Sequence, residues 1–257
     1  MLIRGALHVH SSLSHDGTLS IGELAQWYRA HDYQFVALGE HSQDMDEVKL
    51  RALAEQSAQN SSSGFCIVPG IEFACKGGVH ILGIGITSLL DVFDPVAVTE
   101  AIHQLNGYAV LAHPKRNEWK CPPHLVRVVD AAEIWNVAYD GKLLPSPQSV
   151  IGFPRLRQIN PRLLAVAGHD FHRRAGFYDV AIELDVSSLS APSILQGLRL
   201  GRYRIRARLF SCTAEADFSW LQSALLRCLG WQIIKLREAR DRFLRLSFAK
   251  VHHTPYH

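Results

Sequence analysis

Nowhere in the 257 residues do 18 apolar side chains run unbroken, and the first strand-like run, Leu2 to Val9, already carries Arg4 and His8. Neither a membrane span nor a signal peptide is expected, so the expected compartment is the cytosol and no membrane partner is anticipated. Cysteine is scarce: Cys66, Cys75, Cys121, Cys212 and Cys228 are an odd number without a CxxC pair. They read as reduced core thiols rather than a disulfide framework or a thiolate zinc site. Charged residues make up 20% against 47% hydrophobic, a balance that excludes a disordered chain or a coiled coil. No glycine-rich phosphate loop follows any strand-like run, which removes the usual nucleotide-binding open sheets.

What the chain does have is histidine, 14 residues against 24 for Asp and Glu together. Imidazole is the commonest neutral metal ligand, so a metal site is the first chemistry to test. The net charge of +3 hides an asymmetry: residues 197–257 carry 12 Lys and Arg against 4 Asp and Glu, so the basic excess is entirely C-terminal.

Strand-like runs at 2–9, 35–38, 66–71, 79–86, 108–112, 131–135, 163–167 and 180–184 alternate with helix-like stretches near 20–29, 44–59, 95–106, 122–128 and 192–200. Ser20 with Glu23 three residues on forms a capping box that opens the first helix. This alternation predicts an α/β architecture with a parallel sheet, and the missing phosphate loop favours a barrel over an open doubly wound sheet. The polar patch 57–64 reads as a surface loop. The expected division is a barrel over residues 1–210 and a basic helical appendage over 211–257, packed on the barrel, with Trp220, Leu221, Leu225, Leu229, Ile233, Leu236, Phe243 and Leu244 at mostly helical spacing.

The histidines and several acids follow apolar runs. His8 and His10 end the first, His41 the second, Glu72 the third, His113 the run at 108–112, and Asp170 with His172 the run at 163–167. In a barrel these C-terminal strand ends converge on one face, where active sites are built. The spacing His8-Val9-His10 puts both imidazoles on one side of a strand. Imidazoles and carboxylates gathered at such a mouth suit zinc, manganese or iron. His31, His103, His124, His252, His253 and His257 fall on helices or the tail and read as structural.

The motifs LHVHSSLSHDG, GEHS, PGIEF, VHILGIG, LAHPKR and GHDFH, in this order over about residues 1–185, resemble the PHP (polymerase and histidinol phosphatase) superfamily of metal-dependent phosphoesterases. The resemblance implies a distorted (β/α)7 barrel and two to three divalent ions, Zn, Mn or Fe, held by His8, His10, Asp16, His41, Glu72, His80, His113, Asp170 and His172. It implies that His8, His10, Glu72 and Asp170 hold one ion, that Glu72 bridges to a second held by His80 and His113, and that Asp16, His41 and His172 hold a third. His15, beside Asp16, is an alternative ligand. Glu40 stands where the family more typically has Asp.

Such a trinuclear site implies phosphoester hydrolysis by a metal-bridging hydroxide, with Glu72 and Asp170 as the central catalytic carboxylates. His169 has either a supporting hydrogen-bond role or donates a proton to the leaving group. Arg116 and Arg173, beside ligand motifs, are candidates for gripping phosphate oxygens, with Lys76, Lys115 and Lys142 weaker ones. Glu133 and Asn136 either shape the pocket or hydrogen-bond behind the ligands. The alternating row Arg202, Arg204, Arg206 and Arg208 reads as edge-strand protection or a track for a phosphate backbone, and Arg237, Arg240, Arg242 and Arg245 as a solvated face. The expected activity is hydrolysis of a phosphomonoester of a nucleotide or small metabolite. The alternatives are a nuclease of the same superfamily acting on single-stranded nucleic acid or its ends, an amidohydrolase, and a metal-binding module without catalysis.

Overall fold

The computed structural model describes residues 1–251, apart from the side chains of residue 237 and residues 241–251. Arg237, Arg242, Phe243, Leu244, Arg245, His252, His253 and His257 therefore lie outside the described residues or side chains.

Chain order runs β1 (Leu2–Val9), α1 (Ile21–Arg29), β2 (Phe35–Leu38), β3 (Glu40–His41), α2 (Glu47–Gln59), β4 (Cys66–Val68), β5 (Gly70–Ala74), β6 (His80–Ile84), α3 (Pro95–Gln104), β7 (Tyr108–Ala112), α4 (Pro123–Val126) and β8 (Ala131–Asn136). It continues with α5 (Val137–Asp140), α6 (Pro147–Ile159), β9 (Leu164–Phe171), β10 (Val180–Asp185), α7 (Ala191–Arg199), β11 (Tyr203–Ala207), β12 (Phe210–Thr213) and α8 (Trp220–Val251). The capping box forms as the sequence predicts: the Ser20 hydroxyl accepts from the Glu23 N–H while the Glu23 carboxylate accepts from the Ser20 N–H. Strands β2, β7 and β8 are buried at every residue, the pattern of a sheet covered on both faces.

Among the described residues, twelve strands join one mixed sheet, whose path runs β12-β11-β10-β1-β9-β8-β7-β6-β5-β3, with β2 pairing β1 and β4 beside it. The α/β reading holds, and the expected parallel sheet is corrected to a mixed one, because β6 runs antiparallel to both of its neighbours, so the strands do not form the regular repeat of a (β/α)7 barrel. The departure has a local cause. Between β5 and β6 the chain turns at Lys76–Gly78, with Gly77 and Gly78 at φ 76° and 70°, and so short a link cannot carry the crossover that a parallel pair needs. β6 therefore returns antiparallel to β5 and lies antiparallel to β7 as well.

The arginine row lies on β11, where Tyr203, Ile205 and Ala207 are buried while Arg204 and Arg206 point to solvent. β11 pairs β10 on one side and β12 on the other, so its arginines do not guard an edge, and β12 takes that place. Leu209, which follows the row, is 66% exposed in the turn between the two strands. Helix α8 follows the sheet, and its Gly230 backs onto Pro147 at the start of α6.

Candidate metal centre

The rings of His8 and His10 are fully buried with centroids 5.0 Å apart. Period-two alternation is only part of the reason they converge, because His8 sits at φ 60° and the pairing of β1 with both β2 and β9 slips a register between residues 6 and 9. The loop that follows is clamped by Glu40, whose buried carboxylate accepts from the Ser11 N–H at 3.0 Å and the Ser14 hydroxyl at 2.6 Å. The His41 N–H donates to the same hydroxyl at 3.0 Å, so the loop carrying Asp16 is tied to β3.

Glu72 on β5 is the hub. Its Oε1 accepts from His80 Nδ1 and His113 Nε2, both at 2.8 Å. Its Oε2 lies 3.0 Å from His41 Nδ1, 3.5 Å from His8 Nε2 and 3.9 Å from His10 Nε2. Asp170 Oδ1 is 3.4 Å from His10 Nε2, 3.8 Å from His8 Nε2 and 3.7 Å from His172 Nδ1. Asp16 stands between His41 Nε2 at 3.3 Å and His172 Nε2 at 3.2 Å. All nine residues that the motifs single out are thus brought together from six strand ends and the loop after β1. His15 is mostly exposed and bonds through Nδ1 to Asp44 at 2.7 Å, although it also borders Asp16 and His41.

The donor set fits cations. His8 Nε2, both ring nitrogens of His10, and His172 Nε2 are buried and make no hydrogen bond. Facing carboxylate oxygens stand 3.2 to 3.8 Å from three of these atoms. Two donors each about 2.1 Å from one tetrahedral cation lie about 3.4 Å apart, so these gaps match donors that share an ion better than donors bonded to each other. Triplets of donor atoms close enough for one ion occur at His8, His10 and Glu72, at Glu72, His80 and His113, and at His10, His41 and His172.

The electrostatics carry the same imprint. Burial works against charge on His8, yet the carboxylates of Glu133, Glu72 and Asp170 hold its proton well above the ordinary imidazole range. Burial likewise opposes ionisation of Glu72, but His8 and the hydrogen bonds from His113 and His41 hold it well below the carboxylate range. His10, which faces fewer acids, is pushed down to about 4 by burial. A cage of this kind holds its carboxylates ionised and exchanges a proton for a cation when one enters.

Behind the ligands stands Glu133 on β8, buried and fully bonded. Its Oε1 faces His8 Nδ1 at 2.7 Å, and its Oε2 accepts from the His113 N–H at 2.7 Å and Asn136 Nδ2 at 2.8 Å. The His8 proton is thereby fixed on Nδ1, leaving Nε2 for the cage. Asn136 also reaches Asp170 Oδ2 at 3.4 Å, while its own Oδ1 caps α5. Hydrogen bonding behind the ligands is thus the part both residues take.

His169 lies apart. Strand alternation turns it away from Asp170 into a nest of Tyr28, Tyr33 and Phe177, where Tyr28 Oη is 2.9 Å from Nδ1 and Nε2 contacts the Val180 carbonyl. With both ring nitrogens engaged and its pKa pushed down to about 4 by burial, it has no proton to offer the cage, so donation to a leaving group is corrected to a supporting role. Arg116 is exposed over the ring of Tyr139 at 5.4 Å, and that ring lies 5.0 Å from His113. Arg173 is exposed directly after His172, and among the described residues neither arginine makes an ion pair with the cage. Lys115 donates to the Tyr139 carbonyl at 2.7 Å and Lys142 to the Ala175 carbonyl at 3.3 Å, so both are engaged with backbone. Tyr139 at this rim escaped sequence reasoning because nothing about a tyrosine on a four-residue helix marks it.

No protein-family model matches the chain, and no curated protein does. Solved structures do. A two-domain protein of Bacteroides vulgatus containing a predicted PHP-like metal-dependent phosphoesterase is 15% identical over 80% of this chain, with a TM-score of 0.58. The lesion-specific endonuclease PfuEndoQ of Pyrococcus furiosus is 14% identical over 80%, also at 0.58. An amidohydrolase of Chromobacterium violaceum with bound sulfate is 16% identical over 79% of this chain and 98% of its own length, at 0.52. The chain spans 65% of the Bacteroides protein and 58% of the Pyrococcus one.

Proposed function

We propose, from a fold shared with PHP-type proteins and from the cage around Glu72, that this protein is a metal-dependent phosphoester hydrolase acting on a phosphomonoester of a nucleotide or another small metabolite. The observation that carries the reading is the gathering of nine ligand-type side chains, in which the buried Glu72 carboxylate faces five imidazoles and four imidazole nitrogens are left unbonded.

His8, His10, Glu72 and Asp170 would hold one ion, His80 and His113 would share Glu72 for a second, and Asp16, His41 and His172 would hold a third. Bound there, divalent cations supply a water-derived nucleophile at neutral pH and positive charge for the phosphoryl oxygens. The chain's own residues set the geometry: Glu133 holds the His8 tautomer, Asn136 steadies Asp170, and Glu40 fixes the loop that carries Asp16. Arg116 and Arg173 stand exposed beside ligand residues, where a guanidinium can fork onto the free oxygens of an entering phosphate.

A terminal phosphate offers three free oxygens, whereas an internal diester offers two and needs a path for chain on both sides. The exposed row Arg204 and Arg206 supports a nuclease as the second reading. The test is to load the protein with Mn or Zn, count bound ions by elemental analysis, and compare kcat/KM for small phosphomonoesters and a short single-stranded oligonucleotide at two salt concentrations. Two to three ions per chain with faster monoester cleavage supports the reading. Fewer than one ion per chain overturns it. An oligonucleotide preference that is salt-dependent and lost in Arg204→Ala with Arg206→Ala replaces it with the nuclease.

A further inference from the structure

Beside the cage lies an apolar slot of 610 Å³ that the ligand motifs do not account for. One wall is made by the chain segments that carry the ligands: Ser42 follows His41, Phe73 follows Glu72, and Ala74 is paired across the sheet with His80. Strand alternation turns Phe73 away from Glu72 but sets Ala74, two residues on and directly opposite His80, on the sheet face that Glu72 and His80 share, so the slot adjoins the cage at Ala74 and at Ser42 beside His41. The facing wall is the loop between β6 and α3, with Leu89, Leu90, Val92 and Phe93. That loop is fastened to the β5–β6 turn by the Lys76 N–H donating to the Phe93 carbonyl at 2.8 Å. Phe93 is 63% exposed and Leu89 41% exposed. Large apolar side chains held open to water on a tethered loop next to a polar reaction centre are the usual lining of a ligand cleft, and the volume falls in the range of small-molecule sites.

We infer that this slot seats the base of a nucleotide whose phosphate enters the cage, an inference that rests on the phosphoesterase reading and narrows its substrate class. Three features select the base. The walls are mostly apolar, which suits a flat ring and leaves a sugar's hydroxyls without partners. Phe93 offers an aromatic face on which any base can stack. The polar groups are few, Ser42, Gln43 and Asp91, and the Asp91 carboxylate repels a second phosphate while accepting from a ring amino group.

The test compares kcat/KM of the metal-loaded protein for adenosine monophosphate and ribose 5-phosphate, in the wild type and in Phe93→Ala. Independently of metal and turnover, calorimetry measures adenosine binding to the metal-free wild type and variant. The expected result is a nucleotide preference that falls about 10- to 100-fold in Phe93→Ala, the range of one base–aromatic stacking contact, together with adenosine binding that the variant loses. Val92→Ser, at a second exposed position of the same loop, should reduce both in the same direction and guards against a folding artefact at Phe93. If both esters are cleaved equally well and adenosine does not bind, the slot inference is overturned while the hydrolase reading stands. If neither ester is cleaved but adenosine binds through Phe93, the slot stands and the hydrolase reading fails.

Discussion

Gly168 of β9 is the smallest part of the candidate centre and the one whose replacement has the most calculable effect. A Cβ added there would lie 1.9 Å from Glu133 Oε1, 2.5 Å from its Cδ and 3.1 Å from Oε2. Ordinary contact needs at least about 3.4 Å, so the carboxylate must retreat by more than 1 Å or β9 must shift. Either movement breaks hydrogen bonds of 2.7 Å to His8 Nδ1, 2.7 Å to the His113 N–H and 2.8 Å to Asn136. Gly168→Ala should therefore lower metal affinity by about 10- to 100-fold, the usual cost of losing a partner that orients a ligand. Overpacking should cost the metal-free protein about 1–3 kcal/mol. Chelator competition at fixed pH reads the first effect and urea unfolding the second. A double-mutant cycle makes the reasoning strict: if Gly168 exists to admit Glu133, then Gly168→Ala added to Glu133→Ala should cost almost nothing further. Wild-type metal affinity and stability in Gly168→Ala, or losses that add in the double variant, would refute it.

Glu72→Gln should weaken two cation sites together and, under the proposed function, abolish most phosphoester hydrolysis, because an amide has one acceptor oxygen and cannot face His80 and His113 on one side and His41 on the other. Elemental analysis showing one ion lost with normal turnover would contradict the hub role. Thiol labelling at pH 8 should mark Cys228 first, since it is exposed while burial pushes Cys66 and Cys121 up to about 11 and Cys75 and Cys212 up to about 12. A thiol of pKa near 11 is only about 0.1% thiolate at that pH, so early labelling of Cys75 or Cys212 in peptide mass spectra would show that the core opens.

Strands β1, β2, β4 and β6 to β10 were legible as short, densely apolar runs and the first helix because Ser20 and Glu23 announce it, whereas β3 and β12, Glu40–His41 and Phe210–Thr213, are too short and too polar to stand out. Helix α6 was hidden: Gly152 packs against Trp119 and Pro154 interrupts the run, so the residues that punctuate loops here sit inside a helix. The antiparallel return of β6 was signalled by the Lys76-Gly77-Gly78 turn, but register and direction are long-range properties that periodicity does not encode. His169 shows the converse. The period of two that aligned His8 with His10 also sets His169 opposite Asp170, so its orientation away from the cage followed from the same rule. Glu133 could be seen to end a strand, but its bond to His8 spans 125 positions and no local pattern reveals it.

Three cage residues, His8, His113 and Asp170, occupy the left-handed region with φ of 60°, 31° and 47°. For side chains other than glycine each such residue costs on the order of 1–3 kcal/mol, and it persists only where neighbouring bonds over-determine it. Glu133 supplies that restraint for two of the three, through the ring of His8 and the backbone N–H of His113, while Asn136 braces the third through Asp170. Substituting glycine at any of the three would relieve the backbone and remove a donor at once, so the strain is retained for the side chain. Because the bonds that offset it come from β8 and not from the ligands themselves, the fold holds the donors in place before a cation arrives, and binding spends little of its free energy on ordering them.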